Sequence, residues 1–425
     1  MSALNRRQFT KIVGTGAVAT AAFGLFSYIK GEGKIVIIGG GAGGATVAHL
    51  LKKAAPNLNV TLVEMNRQYA TCFFSNLYIG GIRSFDSLTY GYDGLKKIGV
   101  NVVHDMASGV DTAKKTVSLK NGSKLAYDKL VLSPGIDFKW ETIEGYDEAA
   151  SQKMPHAWKA GAQTKLLKQQ LETMKDGGLV VMSAPPDPFR CPPGPYERAS
   201  MIAHYVKTYK PKSKIIIFDP KSDFAKKDLF VHDWETHYEG IVEWLGTEMT
   251  DGGIKKVDPT AMTVTTYDGE TIKADVVNII PAQKAGKIAY LAGCGEEDWC
   301  PVNPNDFSSL NVKDVYVLGD SAEATHMPKS ASSANSHAKI LANAILAELV
   351  GKSPSQAIYY NVCWSLISPD NCVKYTATYL PGEKELEIKT GFLSAVDESK
   401  AVRAQTYREA VDWYEDVTSD MFGKD

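Results

Sequence analysis

Short runs of β-branched and other apolar residues alternate along this chain with longer stretches of helical character. The first run, Lys34–Ile38, is followed by a helical stretch from Ala45 to Lys53 and by a second run, Val60–Val63. Further runs occupy Leu179–Met182 and Lys214–Phe218. Apolar runs of this length are typical of strands in a parallel sheet that helices cover on both faces. The pattern therefore predicts an α/β fold, with such strands in two separate parts of the chain.

Helices and hairpins fill the rest of the pattern. Helical character extends over Trp158–Met174 and again over Pro195–Tyr209. Asn121-Gly122 and Asp268-Gly269 each separate two short β-like runs, and such dipeptides favour the tight turns of β-hairpins. A chain of 425 residues is too long for one core, so we expect two or three domains.

A glycine-rich segment follows the first predicted strand. Gly39, Gly41 and Gly44 satisfy the pattern G-x-G-x-x-G. These glycines allow a tight turn and a close backbone approach, which place a pyrophosphate at the N-terminus of the following helix. Glu64 ends the second strand about twenty residues later, where a carboxylate binds ribose hydroxyls. Together these features predict a dinucleotide-binding site, and a purely structural turn is the alternative.

The second predicted unit has no such loop. Its first strand continues into residues 183–188, which read SAPPDP. Proline lacks the N–H group that a phosphate-binding loop must offer, and its ring also fixes φ. The next strand ends at Asp219. We therefore expect the fold of this unit to persist without a nicotinamide site.

Composition and charge exclude several classes of protein. Hydrophobic residues make up 44% of the chain and charged residues 23%, as in an ordinary globular protein. The formal net charge of -2 gives no electrostatic footprint for nucleic acid. The eight histidines are dispersed, without the spacing of metal ligands, so we expect no metal site.

The first thirty residues have the layout of an export signal. Arg6-Arg7, followed by Phe9 and Lys11, precedes a mildly apolar run from Ile12 to Ile29. This layout is typical of twin-arginine signals, which export proteins already folded around a cofactor. We expect a cleaved signal over residues 1–30 and a periplasmic protein. A retained membrane anchor is the alternative.

Two further segments resemble signatures of flavoproteins. Val315–Leu318 is an apolar strand that ends in Gly319-Asp320, as in the motif whose aspartate meets the ribityl chain of FAD. Tyr127–Gly135 resembles another signature, with Ser-Pro-Gly in place of the usual Ala-Thr-Gly ending. With the glycine loop, these segments resemble the glutathione reductase-like family, which has two dinucleotide-binding domains. The resemblance implies that the cofactor is FAD.

The same resemblance implies a domain plan. An FAD-binding domain is expected over residues 32–150 and 283–350, and a second Rossmann-like domain that lacks the NAD loop over residues 151–282. Residues 351–425 are expected to form a C-terminal interface domain, as in related enzymes. The predicted fold class is α/β, with two Rossmann-like domains and this third domain.

Six cysteines are the candidates for redox chemistry: Cys72, Cys191, Cys294, Cys300, Cys363 and Cys372. In an exported protein, structural disulfides are the default interpretation. Neither Cys-x-x-Cys nor Cys-x-x-x-x-Cys lies beside the first glycine loop, which excludes the ordinary active site of the disulfide reductases. Cys294 and Cys300 are close enough in sequence to form a local bridge, which is one of several possible pairings.

Several longer motifs resemble the flavoprotein subunit of flavocytochrome c sulfide dehydrogenase. They are distributed over essentially the whole chain and comprise Tyr69–Asn76, Pro155–Gly161, Phe189–Ala199, Trp299–Val302 and Met327–Ser330. The resemblance implies an enzyme that oxidises sulfide to sulfur or polysulfide. It also implies that the electrons pass to a separate cytochrome c subunit, with which the chain forms a heterodimer.

The resemblance assigns roles to three of the cysteines. Cys72 matches the cysteine that is bonded to the 8α carbon of the flavin, with a buried core cysteine as the alternative. Cys191 and Cys363 match a redox pair, whose bridge hydrosulfide opens to a persulfide and a thiolate. A static structural disulfide is the alternative, and Cys372 is a rival to Cys363 as the partner of Cys191.

Two charged residues also receive roles from the resemblance. Glu197 matches the proposed base, and a carboxylate shielded from water has a raised pKa that suits proton transfer. A helix-capping or salt-bridged glutamate is the alternative. Lys329 is expected near the pyrimidine ring of the flavin, where a cation stabilises the reduced anionic form, and an ordinary surface lysine is the alternative.

Three other functions remain as alternatives. The first is a periplasmic sulfide:quinone oxidoreductase. The tail Ala401–Asp425 is acidic, whereas helices that bind a membrane surface are usually rich in basic residues, so we expect no membrane insertion. The second is a catalytically silent flavoprotein, against which the presence of Cys191, Glu197 and Cys363 argues. The third is an NADH dehydrogenase, which the missing second glycine loop disfavours. The chain has no Cys-x-x-Cys-His, so it attaches no c-type haem itself.

Overall fold

The computed structural model describes residues 33–423, and the predicted export signal lies outside them. Within these residues, strands and helices alternate as the hydrophobic pattern predicts. In chain order the strands are β1 Lys34–Ile38, β2 Asn59–Val63, β3 Gln68–Ala70, β4 Thr89–Gly91, β5 Asn101–Val103, β6 Ala107–Asp111, β7 Thr116–Leu119, β8 Lys124–Ala126, β9 Lys129–Leu132, β10 Ile136–Phe138, β11 Leu179–Ser183, β12 Lys214–Phe218, β13 Val242–Leu245, β14 Ile254–Asp258, β15 Thr263–Thr266, β16 Thr271–Lys273, β17 Val276–Ile279, β18 Gln283–Ala285, β19 Cys300–Pro301, β20 Val315–Val317, β21 Ala322–Glu323, β22 Tyr359–Ser368, β23 Asn371–Pro381 and β24 Leu386–Leu393. The helices are α1 Gly44–Ala54, α2 Ser75–Ile79, α3 Asp93–Lys97, α4 Ala162–Thr173, α5 Gly194–Tyr209, α6 Lys227–His237, α7 Thr247–Thr250, α8 Lys287–Leu291, α9 Ala331–Leu349 and α10 Lys400–Phe422.

A five-stranded parallel sheet carries the glycine loop. Its strand order is β20-β9-β1-β2-β5. Every residue of β1 after Lys34 is buried, which explains why this strand is an unbroken apolar run. The carboxyl ends of parallel strands meet at one edge of a sheet. The segments after β1, β2 and β20, with Gly39, Glu64 and Asp320, therefore lie along the same edge.

A second parallel sheet, of order β13-β12-β11-β17, follows in the chain. Strands β11 and β12 lie where the hydrophobic pattern predicts them. The preceding helix is shorter than predicted, because α4 starts at Ala162 and not at Trp158. Gly161 has φ of 129°, which is outside the helical region, and its N–H donates to the Thr164 hydroxyl, as at a helix start.

The C-terminal residues form an antiparallel sheet, β22-β23-β24, and the long helix α10. Strand β22 packs against both α5 and α9, while α10 packs against β23 and α1. The C-terminal sheet therefore contacts helices that follow strands of both parallel sheets. The domain boundaries given above stay predictions.

The predicted turns at Asn121-Gly122 and Asp268-Gly269 are confirmed, since they join the antiparallel pairs β7–β8 and β15–β16. No helix between residues 33 and 423 is both long enough and apolar enough to cross a membrane. Two parallel sheets with helices on their faces and an added antiparallel sheet confirm the predicted α/β fold class.

Candidate active site

The backbone of the glycine loop packs closely against neighbouring backbone atoms. Gly39 has φ of 100°, and a Cβ atom at this position would lie 2.2 Å from the Ser133 carbonyl oxygen. A Cβ atom at Gly44 would lie 2.0 Å from the Gly39 carbonyl oxygen. Neither position can accept a side chain without moving the backbone. The loop keeps the compact turn that a dinucleotide pyrophosphate requires.

Glu64 is held in place at the carboxyl end of β2. Its Oε2 accepts a hydrogen bond from the Gly40 N–H at 2.9 Å. Its Oε1 accepts bonds from the Asn66 N–H at 2.8 Å and from Asn66 Nδ2 at 3.0 Å. The carboxylate is thus fixed beside the glycine loop, where the sequence predicts a ligand for ribose hydroxyls.

Asp320 lies on the same edge and offers an unused acceptor. Its Oδ1 is buried and has no hydrogen-bond partner among the described residues. Its Oδ2 lies 3.7 Å from Arg190 Nη1. Burial raises the pKa of Asp320, while the charges of Arg190 and Lys329 lower it. A buried acceptor without a donor is costly, and a hydroxyl of a bound ligand would satisfy it. This feature fits the ribityl chain of FAD.

Cysteines from three parts of the chain line one cavity of about 100 Å³. Cys72, Cys191 and Cys363 all border it, together with Glu197 and Cys372. The structure therefore brings together the tether, the redox pair and the base that the resemblance implies. It also places the rival Cys372 at the same cavity.

Cys191 lies just before α5, with the unusual left-handed φ of 58°. Its N–H donates to the Lys329 carbonyl oxygen at 2.7 Å, and its own carbonyl accepts from the Gly194 N–H at 2.7 Å. A Cβ atom on Gly194 would lie 2.9 Å from Cys191 Sγ, so glycine leaves room for the thiol. Burial raises the pKa of the Cys191 thiol. The charges of Cys363 and Glu197 raise this pKa further, and the charge of Arg190 lowers it.

Cys363 lies on β22, where it pairs with Tyr375 of β23. Its carbonyl oxygen accepts a hydrogen bond from Lys226 Nζ at 2.7 Å. Burial raises the pKa of the Cys363 thiol, the Lys226 ammonium lowers it, and Glu197 raises it. The charge of Cys363 also acts on Cys191, so the two thiols are close enough to influence each other.

Glu197 is held between two distant segments. Its Oε1 accepts from the Leu366 N–H at 2.9 Å, and its Oε2 accepts from Asn76 Nδ2 at 2.7 Å. Within residues 33–423 it forms no ion pair at salt-bridge distance, and its oxygens accept no bond from its own helix. The capping and salt-bridge alternatives are therefore wrong. Burial raises the pKa of Glu197, and the bonds from Leu366 and Asn76 lower it.

Cys72 lies between β3 and α2, where Phe73 and Phe74 follow it. The Phe73 ring packs 5.6 Å from Trp413, and the Phe74 ring packs 4.6 Å from Tyr414, both on α10. The Cys72 carbonyl accepts from the Ser75 hydroxyl at 2.6 Å. These contacts fix the backbone while the partly exposed thiol borders the cavity. The alternative of a buried core cysteine is therefore disfavoured.

Lys329 is buried, so the interpretation as a surface lysine is wrong. Its Nζ donates to the Ala322 carbonyl oxygen at 2.7 Å and lies 3.7 Å from the centre of the Trp299 ring. Burial lowers the pKa of Lys329 to about 8. The charge of Lys329 also lowers the pKa of Asp320. Lys329 therefore adds positive charge at the sheet edge where Asp320 lies.

Four polar residues of the site were not predicted: Asn76, Arg190, Arg198 and Lys226. The Arg198 guanidinium is buried and donates to Asn76 Oδ1 at 3.1 Å, which orients the amide that holds Glu197. Arg198 also donates to the carbonyls of His156 and Ala157, at 2.9 and 2.6 Å. Three of these four residues lie in the motifs that resemble the sulfide dehydrogenase flavoprotein. Their membership in those motifs is the sequence signal that could have identified them. Lys226 lies in none of these motifs.

Asp219 directly follows β12, at the position where a dinucleotide-binding domain presents an acid to ribose. Its Oδ2 accepts from the Tyr196 hydroxyl at 2.5 Å and from Trp244 Nε1 at 3.0 Å. Its Oδ1 accepts from Lys221 Nζ at 2.6 Å, and the same ammonium donates to the Pro185 carbonyl. The Asp219 side chain is fully buried, and its carboxylate oxygens accept hydrogen bonds from the protein's own side chains.

Cys294 and Cys300 lie away from the cavity. Both are buried thiols, and no bridge joins them. Burial raises the pKa of Cys294 and raises that of Cys300 to about 12. No group of three or more His, Cys, Asp or Glu residues between residues 33 and 423 is arranged to hold a metal ion.

Three family models match successive parts of the chain. Residues 33–176 match the pyridine nucleotide-disulphide oxidoreductases. Residues 164–281 match the central part of the sulfide dehydrogenase (flavocytochrome c) flavoprotein chain. Residues 355–422 match the flavin-binding part of flavocytochrome c sulphide dehydrogenase.

Similar proteins carry related descriptions. The flavoprotein chain of sulfide dehydrogenase (flavocytochrome c) from Chlorobaculum thiosulfatiphilum is 48% identical over 46 residues, which are 11% of this chain and 96% of that sequence. The mitochondrial sulfide:quinone oxidoreductase of Dictyostelium discoideum is 24% identical over 332 residues, 76% of this chain and 72% of that one.

Solved structures support the fold. The sulfide:quinone oxidoreductase of Aquifex aeolicus superposes with a TM-score of 0.72 at 19% identity, over 92% of each chain. At this identity the match concerns the fold alone. Together, the two sulfide dehydrogenase models and the similar flavoprotein chain identify this protein as a member of the flavocytochrome c sulfide dehydrogenase flavoprotein family, a family of sulfide-oxidising flavoprotein oxidoreductases.

Proposed function

We propose that this chain oxidises hydrosulfide through Cys191 and Cys363 and passes the electrons, by way of FAD, to a cytochrome c subunit. The observation that carries the proposal is that Cys191, Cys363 and Glu197 border one cavity. Asp320, at the edge that fits the ribityl chain, interacts with Arg190, which also lines that cavity. This arrangement supports a flavin site next to the proposed sulfur chemistry.

The residues that would hold FAD follow the carboxyl edge of the first sheet. The loop of Gly39, Gly41 and Gly44 would receive the pyrophosphate, Glu64 the ribose and Asp320 the ribityl chain. Cys72 would form a thioether to the flavin, and Lys329 would place a positive charge near its pyrimidine ring. When bound, FAD accepts electrons in pairs and releases them singly, which suits a one-electron acceptor.

The chain's own residues account for the sulfur step. With Cys191 and Cys363 bridged, hydrosulfide attacks one sulfur, a new S–S bond forms there, and the bridging bond breaks. The electron pair of the broken bond remains on the other sulfur as a thiolate. Glu197 accepts the proton of the incoming hydrosulfide, and the Leu366 N–H and the Asn76 amide hold its carboxylate in place.

Three features favour a cytochrome as acceptor over a nicotinamide. The loop after β11 contains prolines where a dinucleotide-binding loop would have glycines. The Pro185 carbonyl in this loop accepts a hydrogen bond from Lys221 Nζ. Asp219 is engaged by Tyr196, Trp244 and Lys221. The family to which the chain belongs is named for a flavocytochrome. We further propose that the protein works in the periplasm, which the twin-arginine layout supports.

An anaerobic sulfide titration tests the proposal. Sodium sulfide is added to the purified, FAD-containing chain while the flavin absorbance is followed, with Cys191→Ser and Cys363→Ser in parallel. We expect rapid bleaching in the parent and none in either variant. Cys294→Ser, which removes a buried thiol outside the cavity, serves as the control and should bleach like the parent. A parent that stays yellow would leave a catalytically silent flavoprotein, and variants that bleach would make the pair structural.

A sulfide:quinone oxidoreductase is the second candidate, and the 24% identity to the Dictyostelium discoideum enzyme favours it. Helix α10 argues against a membrane-seated quinone, because its exposed positions include Gln405, Arg408, Asp412, Glu415 and Asp416. Steady-state turnover with sulfide should be compared for a small c-type cytochrome and a water-soluble quinone. Reduction of the cytochrome at a rate well above that of the quinone is expected, and the reverse order would favour the second candidate.

A further inference from the structure

We propose that Lys226 is a positioning residue whose ammonium group selects Cys363 as the sulfur that departs as a thiolate when hydrosulfide opens the Cys191–Cys363 bridge. Cys191 then carries the persulfide. This inference rests on the proposed function, because it concerns the direction in which the proposed bridge opens.

The Lys226 side chain reaches the C-terminal sheet from the start of α6. Its backbone adopts the left-handed conformation, with φ of 67°. Its Nζ donates to the Cys363 carbonyl oxygen at 2.7 Å and to the Ser365 hydroxyl at 3.0 Å. An ammonium group has three N–H donors, and the hydrogen bonds within residues 33–423 account for two of them. One donor remains for an anion on Cys363.

The charges around the two sulfurs are unequal. After the effect of burial, which raises the pKa of both thiols, the largest influence on Cys363 is the cation of Lys226. Cys72 as a thioether and Cys363 within the bridge carry no charge. Of the groups that remain, the carboxylate of Glu197 acts on Cys191 more strongly than the cation of Arg190. A departing thiolate is therefore better stabilised on Cys363.

The surroundings of Lys226 act on its pKa in opposite directions, and burial has the larger effect. Burial lowers the pKa of Lys226, and the negative charges of Cys363, Cys372, Glu197 and Cys191 raise it. The titratable and charged groups that act on Cys363 or respond to it are Lys226, Glu197, Cys191 and Tyr379. Lys226 is the cation of this set, so no other group of the set replaces it.

The N-terminus of α5 also favours an anion, on the side of Cys191. It carries about half an elementary charge, and Glu197 in the first turn of the same helix opposes it. The ammonium of Lys226 carries a full charge and lies against the strand that bears Cys363. The balance of these effects favours departure of Cys363.

The step then balances as follows. Hydrosulfide forms an S–S bond to Cys191 Sγ, the bond from Cys191 Sγ to Cys363 Sγ breaks, and its electron pair stays on Cys363 Sγ. The proton of the hydrosulfide passes to Glu197. The products are a persulfide on Cys191 and a thiolate on Cys363 beside Lys226. The two electrons donated by sulfide remain on these sulfurs, from which a bound flavin would take them.

Alkylation of the reduced protein tests the role of Lys226 without any turnover. The rates of iodoacetamide modification at Cys191 and Cys363 are measured over a pH series by peptide mass spectrometry. In Lys226→Met we expect the midpoint of the Cys363 profile to rise by about one pH unit or more, which slows its alkylation near neutral pH about tenfold. Lys226→Arg should keep the parent profile because it keeps the charge.

Lys227→Met is the matched control. Lys227 is the next residue along the chain, but its Nζ donates to the Ser222 carbonyl and lies over the Trp244 ring, away from β22. It should leave the Cys363 profile unchanged. Thermal denaturation of all variants separates an electrostatic effect from a folding defect.

A single sulfide pulse on the bridged protein tests the direction of opening. After trapping with an alkylating agent, the extra sulfur atom should be found on the Cys191 peptide in the parent and on both cysteine peptides in Lys226→Met. An unchanged Cys363 profile in Lys226→Met, or an extra sulfur on Cys363 in the parent, would overturn the proposal. A shifted profile in a protein that sulfide does not bleach would instead overturn the proposed function.

Discussion

The hydroxyl of Tyr196 donates a 2.5 Å hydrogen bond to the buried carboxylate of Asp219, and Tyr196 lies in the first turn of the helix that starts beside Cys191. The acid at the end of β12 thus anchors the cysteine helix and is not free to bind ribose. We expect that neither NADH nor NADPH bleaches the flavin in an anaerobic titration. Rapid bleaching by either nucleotide would contradict this interpretation of Asp219.

We expect the hydrogen bond from Tyr196 to Asp219 to stabilise the fold. Tyr196→Phe removes one of the two donors to Asp219 Oδ2 in the core, which should lower the free energy of unfolding by about 1–3 kcal/mol. Urea denaturation measures the change. Tyr209→Phe, on the exposed end of the same helix, is the control and should be close to neutral.

The covalent attachment of FAD through Cys72 can be tested separately from activity. After acid precipitation, yellow colour should remain with the parent protein and pass into the supernatant for Cys72→Ser. Intact-protein mass spectrometry should show the added mass of the flavin on the parent alone. Cys372→Ser, which changes another thiol at the same cavity, should retain the flavin. Release of flavin from the parent would exclude the tether.

Glu197→Gln should lower the rate of flavin reduction by sulfide by about 10²- to 10⁴-fold, the usual contribution of a positioned base. Because burial raises the pKa of Glu197, the parent rate should fall as the pH drops through this raised value, where the carboxylate becomes protonated. The variant should lack this limb of the profile. Stopped-flow reduction over a pH series measures both effects.

The raised pKa of Glu197 also affects stability. A carboxyl group whose folded-state pKa lies above its unfolded value contributes stability at low pH, and that contribution is lost as the pH rises through the folded-state value. Glu197→Gln cannot ionise, so its stability relative to the parent should increase from acid to neutral pH. Denaturation midpoints of both proteins at several pH values would show the trend, and a decreasing difference would contradict the assignment.

Gly39→Ala should abolish FAD binding. The added Cβ would lie 2.2 Å from the Ser133 carbonyl oxygen at a residue with φ of 100°, so the loop must move. Gly109→Ala is a matched control, since a Cβ there meets nothing within 4 Å and its φ is ordinary. The ratio of flavin to protein absorbance after purification measures the effect, and normal flavin content in Gly39→Ala would contradict the role of the loop.

The sequence predicts the first sheet and its edge well, because the signals are local. The apolar run of β1, the glycines after it and Glu64 at the end of β2 each lie within a short segment whose pattern reflects its structure. Asp320 follows the same rule at the end of β20. The start of α4 is less well predicted, because helical character continues through Trp158 while the backbone at Gly161 does not permit a helix.

Contacts between distant segments are beyond such patterns. The bond from Asn76 to Glu197 and the bond from Lys226 to the Cys363 carbonyl each join residues more than one hundred positions apart. No periodicity or spacing indicates them. The roles of Cys191 and Cys363 came from resemblance alone, and only the folded chain shows that they border one cavity.

Cys191 and Cys363 belong to different parts of the fold, since one precedes α5 and the other lies on β22 of the C-terminal sheet. A covalent bond between them would fasten the C-terminal sheet to the second parallel-sheet unit, and opening the bond would release that fastening. Each catalytic cycle would then stiffen and relax the contact between these two units.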